Sequence, residues 1–175
     1  MKVLFFIFLL SATTVRAEPS LFVGPLLGGT SYSTSDGGLN RDSQTSFGGQ
    51  AMYILDHWMG GLSYSAYSVG ETGGPSLNVS QQNQDIEAGI KFRLLKEDFS
   101  PFVGMGAGAI FQTITTNLYD TSEVNTGDFF IKDVGGGILW RFMRNFGASI
   151  EADYYQYSNV TGFKYYITLG YFPIL

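Results

Sequence analysis

Cysteine is missing from all 175 residues, which excludes disulfides, a Cys-ligated zinc site and a thiol nucleophile. Histidine occurs once, at position 57. Charged residues make up 14% of the chain, well under the roughly 25% of ordinary soluble domains. Bases are the scarcer sign, ten against fifteen acids, and the net charge of −5 argues against nucleic acid or an anionic surface as partner. Beyond the first seventeen residues no stretch reads as a long amphipathic or membrane-spanning helix. What remains is glycine, 23 residues of it, and aromatics at 16%. The composition is that of an all-β chain.

The N-terminus reads as a secretory signal. Lys2 gives a positive start, Val3 to Leu10 is an apolar run, and Val15-Arg16-Ala17 resembles a small-residue cleavage site. The run is far shorter than the about 20 residues that a helix needs to span a bilayer. Residues 1–17 are therefore assigned to a cleavable signal peptide and 18–175 to a single domain. Losing Lys2 and Arg16 leaves eight bases against fifteen acids.

The stretch from Gln84 to Leu94 carries the clearest pattern. Asp85, Glu87, Gly89, Lys91 and Arg93 share one parity; Ile86, Ala88, Ile90, Phe92 and Leu94 share the other. Strict alternation means a strand with two unlike faces. The same split recurs with Val134, Gly136, Ile138, Trp140 and Phe142 against Asp133, Gly135, Gly137, Leu139 and Arg141. It recurs again over 146–155 and 163–171. No apolar face in this set carries a charge. Behind an export signal and with no helix to cover these faces, the apolar side is read as facing lipid and the charged side as facing the lumen of a transmembrane barrel.

Eight strands are expected, at 21–33, 45–55, 58–69, 84–95, 101–115, 129–142, 145–157 and 162–172. Their connections alternate. Asp56-His57, Lys96 to Ser100 and Met143-Arg144 are short; Thr34 to Gln44, Gly70 to Asn83 and Thr116 to Asp128 are longer and polar. Outer-membrane barrels pair short periplasmic turns with longer external loops, so both termini are placed in the periplasm. Closure follows because an open sheet edge in hydrocarbon leaves backbone N–H and C=O groups unpaired.

The lumen face collects Asp85, Glu87, Asp133, Glu151 and Asp153 against Lys91, Arg93, Arg141 and Lys164. Eight strands enclose a space that side chains just fill, so a plug of interlocking ion pairs is expected rather than a pore. Trp58, Phe92, Trp140, Phe142 and Phe146 fall near the periplasmic turns and are assigned to a membrane-interface belt. Tyr67, Phe111, Phe129, Tyr154 and Phe163 are assigned to a second belt at the outer end.

The chain resembles the small eight-stranded outer-membrane barrels, the OmpA transmembrane-domain and OmpX/Ail-like group. The likeness runs over the whole domain. It is clearest in Pro101-Phe102-Val103-Gly104-Met105-Gly106-Ala107-Gly108, Val134 to Phe142, and Ile150-Glu151-Ala152-Asp153-Tyr154-Tyr155. It implies an outer-membrane location in a Gram-negative envelope, lipopolysaccharide and outer-membrane lipids as neighbours, and insertion by the barrel-assembly machinery. Members usually end in an aromatic residue, often as G-x-x-Y-x-F, whereas this chain ends Gly170-Tyr171-Phe172-Pro173-Ile174-Leu175. Pro25 is a second departure; lacking a ladder donor, it requires the first strand to begin after it or to bulge.

Catalysis finds little support. Barrel enzymes acting on lipid A resemble this group but need a His with Ser and an acid near the outer leaflet. His57 sits at an expected periplasmic turn, and Met59 stands where an H-x-S pair needs Ser. Gly104-Met105-Gly106-Ala107-Gly108-Ala109 fits a dinucleotide fingerprint, yet a β-branched run follows instead of a helix. Asn78 and Asn159 head glycosylation sequons of no weight in a bacterial envelope protein. Outer-end acids Asp36, Asp42, Glu71, Asp120, Glu123 and Asp128 are read as solvated.

No cofactor or metal is expected. The leading reading is a monomeric, non-enzymatic anchor whose surface loops serve adhesion, surface defence or envelope integrity, with a possible surface ligand. A narrow channel is the alternative, and a lipid-A-modifying enzyme a third.

Overall fold

The computed structural model describes residues 19–34, 40–72, 77–118 and 121–173; the expected signal peptide lies outside them. Eight strands close into a barrel in which each pairs antiparallel with its sequence neighbours and β8 returns to β1. They are β1 (Ser20–Thr34), β2 (Asn40–Leu55), β3 (Trp58–Thr72), β4 (Leu77–Arg93), β5 (Phe99–Leu118), β6 (Thr121–Met143), β7 (Phe146–Tyr157) and β8 (Val160–Tyr171). The expected all-β, eight-stranded antiparallel up-and-down architecture is what forms.

Alternation decides which residues face out. Ile86, Ile90 and Phe92 of β4, Val134, Ile138 and Trp140 of β6, and Phe163, Ile167 and Leu169 of β8 are all exposed. Their neighbours of the other parity, Asp85, Leu139, Lys164 and Thr168, are buried. A wall with its large apolar side chains outside and its charges inside is stable only in lipid.

Aromatic rings mark two levels on that wall. At the periplasmic end Trp58 packs edge-on against Phe92, Trp140 against Phe142, and Phe146 against Tyr171. At the outer end Tyr154 packs against Phe163, and Phe111 and Phe130 stand exposed on β5 and β6. Ten residues of β6 separate Phe130 from Trp140. At about 3.3 Å per residue and a tilt near 45°, that is about 23 Å of height, close to the roughly 25 Å apolar band of such barrels. Two rings assigned to the outer belt belong elsewhere: Tyr67 is buried and Phe129 packs at a tilt against Tyr157, which is itself buried. Both have the inward parity of their strands.

Several strands run further outward than the sequence pattern indicates, β4 and β6 the most. β5 and β6 continue to Leu118 and Thr121, and β4 starts at Leu77, so the stretches read as long polar loops are mostly ladder. Outside the bilayer both sheet faces meet water, so a strand there needs no apolar alternation. Its signal is the β-branched content of Thr113-Ile114-Thr115-Thr116. The projecting part is a four-stranded sheet, β3-β4-β5-β6. Among the described residues, β6 pairs with β7 only from Lys132 onward, and β3 pairs with β2 only as far as Tyr67.

Pro25 behaves differently from expectation as well. It sits inside β1 in unbroken register with Gly49 of β2. The interruption falls on the other side, where pairing to β8 passes from Val23 directly to Leu26. The missing N–H is thus accommodated at the β1–β8 seam.

Candidate functional site: the barrel interior and its outer end

The lumen is layered. In its periplasmic half lies an apolar plug of Phe22, Met52, Ile54, Met59, Phe102, Leu139 and Phe172. Inward parity supplies each of them, and glycine makes room: a Cβ at Gly170 would lie 2.4 Å from the Phe22 ring. Sequence reasoning concentrated on charges and missed this plug, although Phe102 and Leu139 share the parity of Gly104 and Arg141.

Above the plug the charged side chains meet. Lys164 of β8 is fully buried and pairs with Asp85, at 2.8 Å, and with Glu87, both on β4. Lys91 of β4 pairs with Glu151 of β7. Gln50 of β2 donates to Glu151 at 2.8 Å and accepts from Thr168 at 3.1 Å. The Lys91 ammonium also lies 5.3 Å from the Phe102 ring centre, and that of Lys164 lies 4.9 Å from that of Tyr155. Asp133 and Asp153 share a cavity of about 30 Å³ with Glu87, Lys91 and Glu151. That is room for about two water molecules. Asp133 lies flat over Gly106, where a Cβ would come within 2.7 Å of its carboxylate.

The two arginines lie apart from these pairs, below the plug. Arg93 donates to Ser100 Oγ at 3.1 Å and to the carbonyl oxygens of Asp56 and Glu97, at 3.5 and 2.8 Å. Arg141 stands 3.9 Å over the Phe172 ring. With Asp56, Lys96, Glu97 and Asp98 they line a periplasmic vestibule of about 300 Å³. The mid-lumen layer accordingly holds five carboxyls and two ammonium groups, not the near-balance that the sequence count of five acids against four bases indicates.

A third cluster, Ile110, Ile131, Tyr155 and Tyr157 with Phe129 and Val160 against it, closes the lumen above the charges. His57 lies at the β2–β3 turn, its Nδ1 2.7 Å from the Arg93 carbonyl and its ring stacked on Phe92. No cluster of three or more His, Asp or Glu suited to a metal ion occurs among the described residues.

Residues 3–171 match the family model for the outer membrane protein beta-barrel domain. The chain belongs to this family. Its fold is that of Ail, the attachment invasion locus protein of Yersinia pestis, at TM-score 0.67 and 16% identity over 91% of this chain and 100% of that one. A second structure of Ail holds the heparin analogue sucrose octasulfate. Neisserial surface protein A follows at TM-score 0.58 and 15% identity, covering 89% of this chain and 98% of that one. The N-terminal barrel domain of Pseudomonas aeruginosa OprF gives 0.54 and 18%, covering 89% and 100%. No curated protein matches the sequence. The barrel is an outer-membrane barrel, and its wall lies in outer-membrane lipid.

Proposed function

We propose that this barrel is a closed, non-enzymatic anchor, and that its work is done by the sheet it raises above the outer leaflet. The observation that carries this reading is the projecting β3-β4-β5-β6 sheet. From Phe130 to Thr121, β6 rises nine residues beyond the outer belt, about 30 Å along the strand. Such a ribbon, whose β3 and β6 margins have no ladder partner above Tyr67 and Lys132 among the described residues, is suited to contact with a protein partner in adhesion, surface defence or envelope integrity.

Beyond the outer belt the described strands hold Asp42, Glu71, Glu123 and Asp128 against Arg41. That balance favours a neutral or basic protein surface over a polyanionic glycan of the kind Ail accepts in the form of sucrose octasulfate. The apolar plug and the Lys164 pairs weigh against solute flow, and the place of His57 at a periplasmic turn weighs against lipid chemistry. We further assign residues 1–17 to a removed signal, the mature barrel to a monomer, and its insertion to the barrel-assembly machinery.

The test is a shortened hairpin. Joining Gln112 to Gly127, which face each other across the β5–β6 ladder, through a two-residue turn keeps the barrel. In a non-adherent host strain the full chain is expected to confer cell binding or serum survival, and the shortened one to lose it. Equal behaviour of the two forms would remove the reading. Single-channel steps from the reconstituted protein would favour a channel instead.

A further inference from the structure

From the geometry we infer that Lys132 anchors a lipid phosphate of the outer leaflet in a cleft on the barrel's outer wall. The inference deepens the expected contact with lipopolysaccharide by naming a site for it, and it does not depend on what the projecting sheet binds.

Three observations meet at this position. The first is charge. Between the two aromatic belts, Lys132 is the one ionised residue on the outward parity of the described strands, exposed between Phe130 and Val134. A base on a lipid-facing wall is tolerated only near the headgroups. Lys132 lies two residues below Phe130, at the depth from which its four-carbon stem carries the ammonium up to the phosphate level.

The second is shape. β7 ends at Tyr157 and turns back at Ser158-Asn159, while β6 runs on past it. The step leaves a cleft of about 440 Å³ lined by Asp128, Phe129, Phe130, Lys132, Gln156, Tyr157 and Ser158. Its floor is set by the pairing of Lys132 with Gln156.

The third is donor chemistry. The Lys132 ammonium, the Gln156 amide and the Ser158 hydroxyl are all donors. Above Lys132, among the described residues, the ladder from β6 to β7 ends. Asp128, the one acid in the lining, lies four residues higher on β6, on the water side of Phe130. Donors at the depth of the headgroups fit a phosphate held at an acyl-chain boundary, and Phe130 beside them fits the chains themselves. Bisphosphorylated lipid A supplies both.

The experiment reconstitutes the folded barrel in phosphatidylcholine vesicles with and without bisphosphorylated lipid A and follows thermal unfolding. Lipid A is expected to raise the unfolding midpoint of the native protein. Lys132→Gln should lose at least half of that rise and Lys132→Arg should keep it. Arg144→Gln, the same charge change at a periplasmic turn, should keep it too. All variants should unfold alike in phosphatidylcholine alone, which separates loss of the site from loss of the fold. Lipid A retained per barrel through purification should fall in Lys132→Gln only. A full rise in Lys132→Gln, an equal rise with dephosphorylated lipid A, or replacement of the effect by inorganic phosphate would overturn the assignment. Unchanged partner binding by Lys132→Gln would keep this site distinct from the projecting sheet.

Discussion

Lys164 Nζ stands 2.8 Å from Asp85 Oδ2 and so joins the eighth strand to the fourth, its opposite number across the lumen. Glu87 completes the clamp from the same side. A pair buried this deeply contributes little beyond its own desolvation, but removing one partner strands the other. Lys164→Met is therefore expected to cost about 3–5 kcal/mol in urea unfolding from lipid vesicles. Adding Asp85→Asn and Glu87→Gln should recover part of the loss. A deficit under about 1 kcal/mol, the size of an exposed pair, would mean that the clamp is wetter than its burial implies.

The apolar plug makes a sharper steric prediction. At Gly170 an added Cβ meets the Phe22 ring, while at Gly60, on the lipid side, it meets nothing within 4 Å. Gly170→Ala should cost about 1–3 kcal/mol through displacement of Phe22. Gly60→Ala should stay within about 0.5 kcal/mol of the native value. Equal effects would show that the plug has slack.

Ile150 lies midway between Phe146 and Tyr154 on the outer wall, 57% exposed and flanked by Ile138 and Ile167. Ile150→Lys should destabilise the barrel by about 2–4 kcal/mol in a bilayer. Thr126→Lys, on the projecting hairpin, should change stability by no more than about 0.5 kcal/mol. The ratio of the two measures where the hydrocarbon ends.

A closed ladder with no free edge in lipid resists detergent until heated. Unboiled protein should migrate apart from boiled protein on a denaturing gel, and the Ile150→Lys form should lose the difference at a lower temperature. Identical migration at every temperature would count against closure.

Period two made the wall legible in the sequence, because lipid outside and charge inside impose opposite demands on alternate residues. Ile86, Val134, Ile150 and Ile167 could be placed from parity alone, and so could Asp85 and Lys164. Height was less legible. Parity says that Arg93 and Arg141 point inward, but not that Phe102 and Leu139 lie between them and the acids; only the stagger of neighbouring strands fixes that. The same parity places Tyr67 and Phe129 inside, and the aromatic-belt assignment overlooked it. The upper strands were hidden for another reason. Once a sheet has water on both sides, nothing in the chemistry of Thr115 or Asn125 has to alternate.

The seam between the first and last strands has a consequence of its own. Every other join in this cylinder connects strands adjacent in the chain, whereas this one must be found last, when the two ends of the ribbon come together. Gly24 and Pro25 interrupt its hydrogen bonding to β8, and proline has no amide proton to offer there. The cylinder is therefore zipped shut along a line whose stitching is broken at Gly24 and Pro25. Amide exchange near Val23 and Tyr171 should report the first parting of the sheet, long before the central strands let go.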